Sequence, residues 1–226
     1  MLHTIAIIPA RGGSKRLPRK NVLDLGGRPM LAHTINTAKN SGLFDEVFVS
    51  TEDEQISKIA STFGATVVKR PHELASDRST VVEVCMHALG QLPDAKVFCC
   101  IYATAVLLEP DTLRRSFDML DEPSKANFVM GVSNFEFPAV QALASNSHGF
   151  LSYMWPEWIN IQSQFYPDLV VSNGSFYWAR RDAFLKERTF YGENLRGYLV
   201  PRDQVKDIND GADFEMLKLN FEQRCS

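Results

Sequence analysis

Apolar and polar positions follow two alternating patterns along residues 5–132. Short, continuously apolar runs are typical of strands buried on both faces of a parallel sheet, and they predict strands at 5–8, 46–51, 66–69, 96–102 and 127–132. Apolar residues at helical spacing predict helices between them, at 29–40, 55–63, 80–92 and 110–120. This alternation indicates an α/β fold with a doubly wound, mostly parallel sheet. The short segment 51–54, Thr-Glu-Asp-Glu, is typical of a helix start.

The pattern changes after the fifth predicted strand. Between residues 135 and 168, aromatic residues crowd together without clean periodicity. Such a segment cannot readily bury its apolar surface alone, so this excursion is predicted either to pack on a partner subunit or to fold over its own sheet as a local cluster. A strand at 169–178 and helices at 183–187 and 212–222 complete the chain, which is predicted to be one domain over 1–226.

Composition and charge exclude several functions. The chain has 226 residues, 45% of them hydrophobic, and a net charge of −3, so no general basic field is available to collect nucleic acid. No apolar run is long enough to span a bilayer, and the N-terminus lacks the order of a secretory signal. The four cysteines show no metal-type spacing, and Cys99 and Cys100 fall in a predicted strand, so buried reduced thiols and a cytoplasmic location are expected.

A basic, glycine-containing loop follows the first strand. Residues 10–21 contain two adjacent glycines, one serine and five cations. Adjacent glycines allow a tight turn that aims successive N–H groups at an anion, and arginine suits bidentate phosphate contacts. The loop lies at the carboxyl end of a strand, where open α/β sheets bind ligands. Neither G-x-x-x-x-G-K-[ST] nor G-x-G-x-x-G is present. The loop predicts a nucleotide triphosphate site, and the alternative is a solvated basic loop.

The stretch Ile8-Pro-Ala-Arg-Gly-Gly-Ser-Lys-Arg-x-Pro-x-Lys-Asn21 resembles the signature of the cytidylyltransferases that activate nine-carbon α-keto sugar acids. Further matches reach almost to the C-terminus, and Tyr102-Ala-Thr-Ala105 is most similar to the pseudaminic acid branch. The resemblance implies a Rossmann-type fold like that of nucleotide-diphospho-sugar transferases. It also implies transfer of CMP from CTP to the anomeric hydroxyl of the sugar acid, release of pyrophosphate, Mg²⁺ as cofactor, and a homodimer formed through the excursion.

The resemblance assigns two segments to the nucleotide, the basic loop and Arg70-Pro-x-x-Leu-Ala-x-Asp77-x-Ser79-Thr80. In the second, the arginine and a hydroxyl after the aspartate would read the cytosine edge. The implied nucleotide-binding residues are Ala10, Arg11, Gly12, Gly13, Ser14, Lys15, Lys20, Asn21, Arg70, Asp77, Ser79 and Thr80. Arg11, Lys15 and Lys20 are also expected to be catalytic, because cations stabilise charge on the transferring phosphate. The base-reading hydroxyl stays open between Ser79 and Thr80, since either can also cap the next helix.

The sugar site is implied by later segments. Its residues would be Tyr102, Thr104, Gln164, Asn173, Ser175 and Tyr177. Val106 stands where the pseudaminic branch normally has proline, and an ordinary strand-to-helix turn is an equal explanation for it. Gln162 stands where that branch has arginine, which removes a cation that a sugar carboxylate would use.

The metal site is implied by Asp207-Ile-Asn209, which resembles the aspartate-isoleucine-aspartate pattern of the family. Asp207 is expected to be catalytic and to hold Mg²⁺ together with Asn209, whose amide oxygen is an uncharged ligand. Asp210 is an alternative ligand, and a turn that caps the last helix is the alternative to both.

Two other functions are also compatible with the sequence. An eight-carbon (Kdo-type) cytidylyltransferase shares the architecture, although the segment 102–105 argues against it. A catalytically silent CTP-binding protein is suggested by Asn209 and Val106. None of the five histidines forms a recognisable triad with serine or cysteine.

Overall fold

The computed structural model describes residues 3–121 and 125–225. In chain order, the strands are β1 (Thr4–Pro9), β2 (Asp24–Leu25), β3 (Arg28–Pro29), β4 (Glu46–Thr51), β5 (Thr66–Lys69), β6 (Val97–Ile101), β7 (Phe128–Asn134), β8 (Leu143–Ser145), β9 (Leu151–Tyr153), β10 (Val170–Arg180) and β11 (Leu195–Leu199). The α-helices are α1 (Met30–Ser41), α2 (Glu54–Thr62), α3 (Val81–Gln91), α4 (Pro110–Asp118), α5 (Arg181–Glu187) and α6 (Gly211–Cys225).

Seven strands form the central sheet in the order β11-β7-β10-β6-β1-β4-β5. β10 pairs antiparallel with β6 and β7, and the other neighbours pair parallel. The predicted mostly parallel, doubly wound α/β fold is confirmed. The edge strand β11 was not predicted, because its sequence Leu-Arg-Gly-Tyr-Leu combines an arginine and a glycine with apolar residues and lacks a clear strand pattern.

Different helices cover the two faces of the sheet, and β1 shows the division. Ala6 and Ile8 pack with apolar residues of α1, α2 and α4. Ile5 and Ile7 point to the other face, where they pack with residues of α3 and α5. All four side chains are fully buried, which accounts for the continuous apolar run in the sequence.

Three cysteines have side chains that the structure describes: Cys85, Cys99 and Cys100. All three are buried and form no disulfide, as expected. Burial raises the pKa of the Cys99 and Cys100 thiols well above the ordinary value, so both stay protonated and unreactive. The side chain of Cys225 lies outside the described part of the structure. Among the described residues, no helix is both long and apolar enough to cross a membrane.

The sheet reverses its strand order beside β1, because β4 lies on one side of β1 and β6 on the other. Such a reversal leaves a crevice at the carboxyl ends of the parallel strands. The basic loop leaves β1 at this crevice, and the segment that begins at Tyr102 leaves β6 there. Two segments about 90 residues apart in sequence are thus brought together by topology alone.

Helix α6 packs against the segment that follows β6. Its residues Phe214 and Leu217 pack on Val106 and Leu107 after β6, and on Ile208 just before the helix. We call this group, with Leu25 and Met30, the C-terminal cluster. Val106 is 7% exposed within it, so the side chain packs in the core and does not face a ligand cavity.

The excursion between β7 and β10 contains the small hairpin β8–β9 and short 3-10 turns. Its aromatic residues do not form a local core, since Phe137 is 78% exposed, Phe150 73% and Phe165 64%. Trp158 and Tyr166 meet edge to face, yet most of the apolar surface of the excursion faces outward. Within one chain, the predicted local cluster is therefore absent from the described part of this segment.

Candidate functional site

Two adjoining cavities open at the crevice. The first, of about 320 Å³, borders the loop after β1, and we call it the basic-loop cavity. The second, of about 480 Å³, borders β10, and we call it the β10 cavity. Tyr102 and Thr104 line both cavities, so the two cavities meet at these residues.

The predicted site residues divide between these cavities. The predicted nucleotide-binding residues that line the basic-loop cavity are Arg11, Ser14, Lys20, Asn21, Arg70, Asp77 and Ser79. The predicted sugar and metal residues that line the β10 cavity are Tyr102, Thr104, Asn173, Ser175, Tyr177 and Asp207. Sequence reasoning thus groups most of these residues as the structure does.

Glu52, at the end of β4, fixes the entrance of the basic loop. Its Oε1 accepts the Gly12 N–H at 2.8 Å, and its Oε2 accepts Arg70 Nη2 at 2.9 Å. The side chains of Glu52 and Arg70 are only 10% and 3% exposed. The expectation that the Gly12 N–H faces the ligand is therefore corrected, because this donor is already bound to a carboxylate. Arg70 Nε has no partner among the described residues.

Gly12 is required by close packing rather than by a turn. A Cβ at this position would collide with the Asp53 carboxylate and lie against the Arg19 guanidinium. Arg19 and Asp53 form an ion pair at 2.5 Å, and the hydrogen bond from Arg19 lowers the pKa of Asp53. Asp53 also accepts the Ile56 N–H at the start of α2. The basic loop is thus fastened to the first turn of that helix.

Asp77 holds two cations of the basic loop. Its carboxylate lies 2.8 Å from Arg11 Nη1 and 2.6 Å from Lys15 Nζ. Hydrogen bonds from Lys15 and then Arg11 lower the pKa of Asp77 below the ordinary aspartate value. Lys15 is 84% exposed and does not line the cavity, so only this ion pair connects it to the site. In the free protein, Asp77 thus pairs with two cations that could otherwise bind an anionic ligand.

The two candidate hydroxyls after Asp77 have different roles. Thr80 caps α3, because its Oγ1 accepts the Glu83 N–H while Glu83 accepts the Thr80 N–H, a capping box. Ser79 lines the basic-loop cavity, and its hydroxyl also bonds to Ser76 and to the Glu73 carbonyl. The placement of Thr80 in the ligand site is therefore corrected, and Ser79 is the candidate that faces a ligand.

Lys20 joins the basic loop to the C-terminal segment. Its Nζ donates to the Ile208 carbonyl at 2.8 Å, and Asp207 is close enough to stabilise the ammonium electrostatically. Burial lowers the pKa of Lys20, and Asp207 offsets part of this effect. Asn21, 8% exposed, donates to the Arg11 carbonyl at 3.0 Å and so braces the loop from within.

The β10 wall owes its shape to a local irregularity. Gly174 has φ of 68°, and the pairing of β10 with β7 shifts between Ser172 and Tyr177. Asn173 Oδ1 accepts two bonds from Ser175, and its Nδ2 donates to Ser133 Oγ at 3.1 Å. The amide of Asn173 thus holds this irregularity in place, in addition to lining the cavity.

Two phenols complete this wall. Tyr177 shares a hydrogen bond of 2.9 Å with Ser172, and the rings of Tyr102 and Tyr177 lie 5.8 Å apart. Burial raises the pKa of both tyrosines above the ordinary phenol value. Both hydroxyls therefore stay protonated at neutral pH, and within the wall they bond to each other and to Ser172.

Asp207 and Asn209 lie side by side before α6. Asn209 Nδ2 donates to Asp207 Oδ2 at 2.6 Å, which leaves the amide oxygen free of that contact. Asp207 is exposed and lines the β10 cavity, whereas Asp210 accepts the Asp213 N–H and caps α6. Among the described residues, no group of three or more histidine, cysteine, aspartate or glutamate side chains is arranged to hold a metal.

Some predicted residues lie elsewhere. Gln164 is exposed in a 3-10 turn of the excursion and lines neither cavity within one chain. Ala10 is fully buried in the core, and Gly13 is exposed outside the cavity lining.

Sequence reasoning also overlooked three side chains. The sequence around Glu52 predicts only a helix start, and no motif marks the segment before Asp207 as part of a site. In the structure, Gln204 and Lys206 from that segment line the β10 cavity. The run of polar residues just before Asp207 was the available signal for both.

Comparison with known proteins shows the family to which the chain belongs. A family model described as Cytidylyltransferase matches residues 5–146. The chain is 33% identical over 226 residues to the pseudaminic acid cytidylyltransferase of Campylobacter jejuni subsp. jejuni serotype O:2, covering 97% of each chain. It is 30% identical over 240 residues to the CMP-N,N'-diacetyllegionaminic acid synthase of Legionella pneumophila, covering 98% of this chain and 99% of that one.

A solved structure shares the fold. CMP:2-keto-3-deoxy-manno-octonic acid synthetase complexed with CTP superposes with a TM-score of 0.74 at 18% identity, over 98% of this chain and 99% of that one. The matched family model covers β1 to β8 and therefore includes the basic loop and the loop after β6. The chain belongs to the cytidylyltransferase family.

Proposed function

We propose that the chain transfers CMP from CTP to the anomeric hydroxyl of a nine-carbon α-keto sugar acid of the pseudaminic, legionaminic or sialic type, releasing pyrophosphate. Family membership supports the nucleotidyl transfer, and the relatives named for pseudaminic and legionaminic acids support the sugar class. The observation that carries the proposal is the junction of the two cavities at Tyr102 and Thr104, with cations on one side and Asp207 on the other.

The reaction needs the sugar hydroxyl in line with the α-phosphorus of CTP. The hydroxyl oxygen forms a bond to this phosphorus and loses its proton to solvent, while the bond from phosphorus to the pyrophosphate oxygen breaks and pyrophosphate leaves. Arg11 and Lys20 border the basic-loop cavity and would stabilise charge on the phosphate oxygens. Thr104 at the junction would orient the acceptor sugar. Positioning and charge stabilisation are thus the main contributions of this chain.

The donor set fits a hard divalent cation such as Mg²⁺. Asp207 offers an exposed carboxylate, and the Asn209 amide lies beside it with its nitrogen bonded to Asp207 Oδ2. A half-turn of this amide would bring its oxygen next to the carboxylate, where both could hold one ion. Mg²⁺ is usually held by one or two carboxylates together with substrate phosphates, so phosphate oxygens of CTP would complete the set. The bound ion would neutralise charge on the triphosphate and polarise its phosphorus.

The reaction is tested by measuring pyrophosphate release from CTP with Mg²⁺ and a panel of sialic, legionaminic and pseudaminic acids, with Kdo as the eight-carbon comparison. We expect release with at least one nine-carbon acid and formation of the matching CMP-sugar. If no acid gives pyrophosphate release, the proposed enzyme activity is refuted. If only Kdo gives release, the substrate is an eight-carbon acid and not a nine-carbon one.

Replacing Asn209 by aspartate is expected to lower the Mg²⁺ concentration for half-maximal rate by about tenfold, because a second carboxylate adds a charged ligand. The two carboxylates would repel in the absence of the ion, since the present amide lies 2.6 Å from Asp207 Oδ2. The measurement is the rate of pyrophosphate release against Mg²⁺ concentration.

Asp210→Asn is the matched control, because it keeps the capping oxygen and should leave the Mg²⁺ requirement unchanged. The native chain could prove inactive while CTP raises its melting temperature and the Asn209→Asp variant is active. This combination would indicate a catalytically silent CTP-binding protein. An unchanged Mg²⁺ requirement in Asn209→Asp would remove residue 209 from the metal site.

Replacing Asp77 by asparagine is expected to lower the KM for CTP by about two- to fivefold, because the triphosphate would no longer compete with Asp77 for Arg11 and Lys15. The lowered pKa of Asp77 means that this ion pair stabilises the free protein above the ordinary aspartate pKa and is lost as the pH falls through the lowered value. The measurement is the KM for CTP at saturating sugar acid.

Asp111→Asn removes an exposed aspartate–arginine pair of 2.7 Å within α4 and serves as the control. It should leave the KM for CTP unchanged. A higher KM in Asp77→Asn would instead mean that Asp77 itself contacts the nucleotide.

We also propose that two copies of the chain associate through the excursion. Phe137, Phe150 and Phe165 are largely exposed, and contiguous exposed apolar surface marks association sites. The double variant Phe137→Asp/Phe150→Asp is expected to sediment as a monomer, and the native chain at twice the mass of one chain. Met216→Asp, on the half-exposed surface of α6, is the control and should not alter the mass. A monomeric native chain would contradict the proposal.

The cytoplasm is the proposed location. The buried thiols of Cys85, Cys99 and Cys100 are free in the structure, which suits a reducing compartment.

A further inference from the structure

We infer that Gln204 helps to select the sugar acid, because its side-chain amide nitrogen donates a hydrogen bond to a carbonyl or carboxylate oxygen of that substrate in the β10 cavity. This inference rests on the proposed function, whose acceptor would occupy the same cavity. It adds a specificity-determining residue that neither the motifs nor the relatives point to.

The orientation of the Gln204 amide is fixed by its partners. Oε1 accepts the Glu109 backbone N–H at 3.2 Å and the Thr112 hydroxyl at 2.7 Å, both at the start of α4. A backbone N–H can only donate, so the atom that it meets must be the oxygen of the amide. The nitrogen is consequently turned away from α4.

That nitrogen is left for a ligand. Gln204 is only 6% exposed, yet it lines the β10 cavity. Among the described residues, no acceptor pairs with its Nε2. Nε2 is not among the described side-chain atoms that are both fully buried and unpaired, so it faces the cavity where solvent can reach it. A substrate that displaces this solvent must supply an acceptor in its place, or the N–H group loses a hydrogen bond.

The rest of the cavity explains why the ligand should be rich in acceptors. On the β10 side, Asn173 bonds to Ser133 and Ser175, and Tyr177 bonds to Ser172. The facing segment presents Gln204 Nε2, the Lys206 ammonium, which is only loosely paired with Asp213 at 3.7 Å, and the Asp207 carboxylate of the proposed metal site. The two donors suit a sugar that carries a carboxylate and N-acyl carbonyl groups, whereas Asp207 suits the metal ion.

A purely structural role would need only the oxygen of the Gln204 amide. Oε1 alone bonds the segment before Asp207 to α4, and a carboxylate oxygen could accept the same two hydrogen bonds. The variant Gln204→Glu therefore keeps the tie to α4 and replaces the donor by an acceptor. Gln204→Met is an uncharged second variant of similar length, in case a buried carboxylate prevents folding. Because it loses the tie through Oε1 as well as the donor, Thr112→Val, which removes only one bond of the tie, is measured beside it.

The experiment measures KM and kcat for sugar acid and CTP separately in both variants, with melting temperature as the measure of folding. We expect the KM for the sugar acid to rise by about 10- to 100-fold and the KM for CTP to stay within about twofold. Gln223→Glu, an exposed glutamine of α6 outside both cavities, controls for the added charge and should change neither KM.

The sugar panel identifies the oxygen that is bound. An equal increase in KM for every acid assigns the bond to the shared carboxylate, and an increase confined to acids with a particular N-acyl group assigns it to that carbonyl. A lower melting temperature with an unchanged KM for the sugar acid, in whichever variant folds, would overturn the inference alone. Absence of turnover by the native chain with all acids would overturn the proposed function and this inference with it.

Discussion

Glu52→Ala is expected to lower kcat/KM for CTP by about 100-fold and the free energy of unfolding by about 3–5 kcal/mol. Glu52 is the buried partner of Arg70, whose guanidinium would be left charged and unpaired at 3% exposure. The Gly12 N–H would lose its acceptor as well, so the basic loop would no longer be held in place. Steady-state kinetics and chemical denaturation of the same preparation measure the two effects.

Glu54→Ala is the matched control for this change. Glu54 lies two residues further on, exposed in the first turn of α2, and its removal should affect the kinetics little. Glu52→Gln should be intermediate, because the amide oxygen can still accept the Gly12 N–H while the charge opposite Arg70 is lost. Native kinetics in Glu52→Ala would show that this carboxylate does not position the loop.

The second large effect concerns Lys20. Lys20→Met is expected to reduce kcat by about 100- to 1,000-fold, because one preorganised donor to the transferring phosphate is removed. Ligand-free stability should change little, because loss of the bond to the Ile208 carbonyl is offset by removal of a partly buried ammonium whose pKa is lowered mainly by burial. The measurements are pre-steady-state pyrophosphate release and the melting temperature without ligands.

The pH dependence follows from the same lowered pKa. Between the folded pKa of Lys20 and its higher unfolded pKa, the unfolded chain binds more protons, so this residue makes the ligand-free protein more stable as the pH rises. Lys39→Met is the control, because Lys39 is also a lysine bonded to a backbone carbonyl, but it lies outside both cavities. A kcat loss of similar size in Lys39→Met, or undiminished turnover in Lys20→Met, would contradict the role of Lys20.

Local pattern was sufficient for the elements that surround the crevice. The apolar run of β1, the loop with its glycines and cations, and the end of β6 each carry their signal within a few residues. Their meeting follows from a general rule of doubly wound sheets, so the grouping of Lys20, Asn21 and Thr104 was predictable.

The remaining parts of the site depend on contacts between distant segments. Glu52 matters because parallel pairing places the end of β4 beside the end of β1, and the sequence 51–54 alone shows only a helix start. Gln204 depends on α4, some 90 residues away in sequence. Gln164 was expected in the sugar site from a short motif. That motif gives no information about where the excursion lies relative to the sheet, and in the structure Gln164 lines neither cavity.

The C-terminal cluster has a consequence for the order in which the chain acquires its parts. Every strand of the central sheet ends by Leu199, whereas the helix that fixes Ile208 and the loop after β6 begins only at Gly211. A growing polypeptide therefore contains every strand of the sheet before it contains the helix that packs on the loop after β6. The packing of this loop and of Ile208 depends on a part of the chain that is made after the strands.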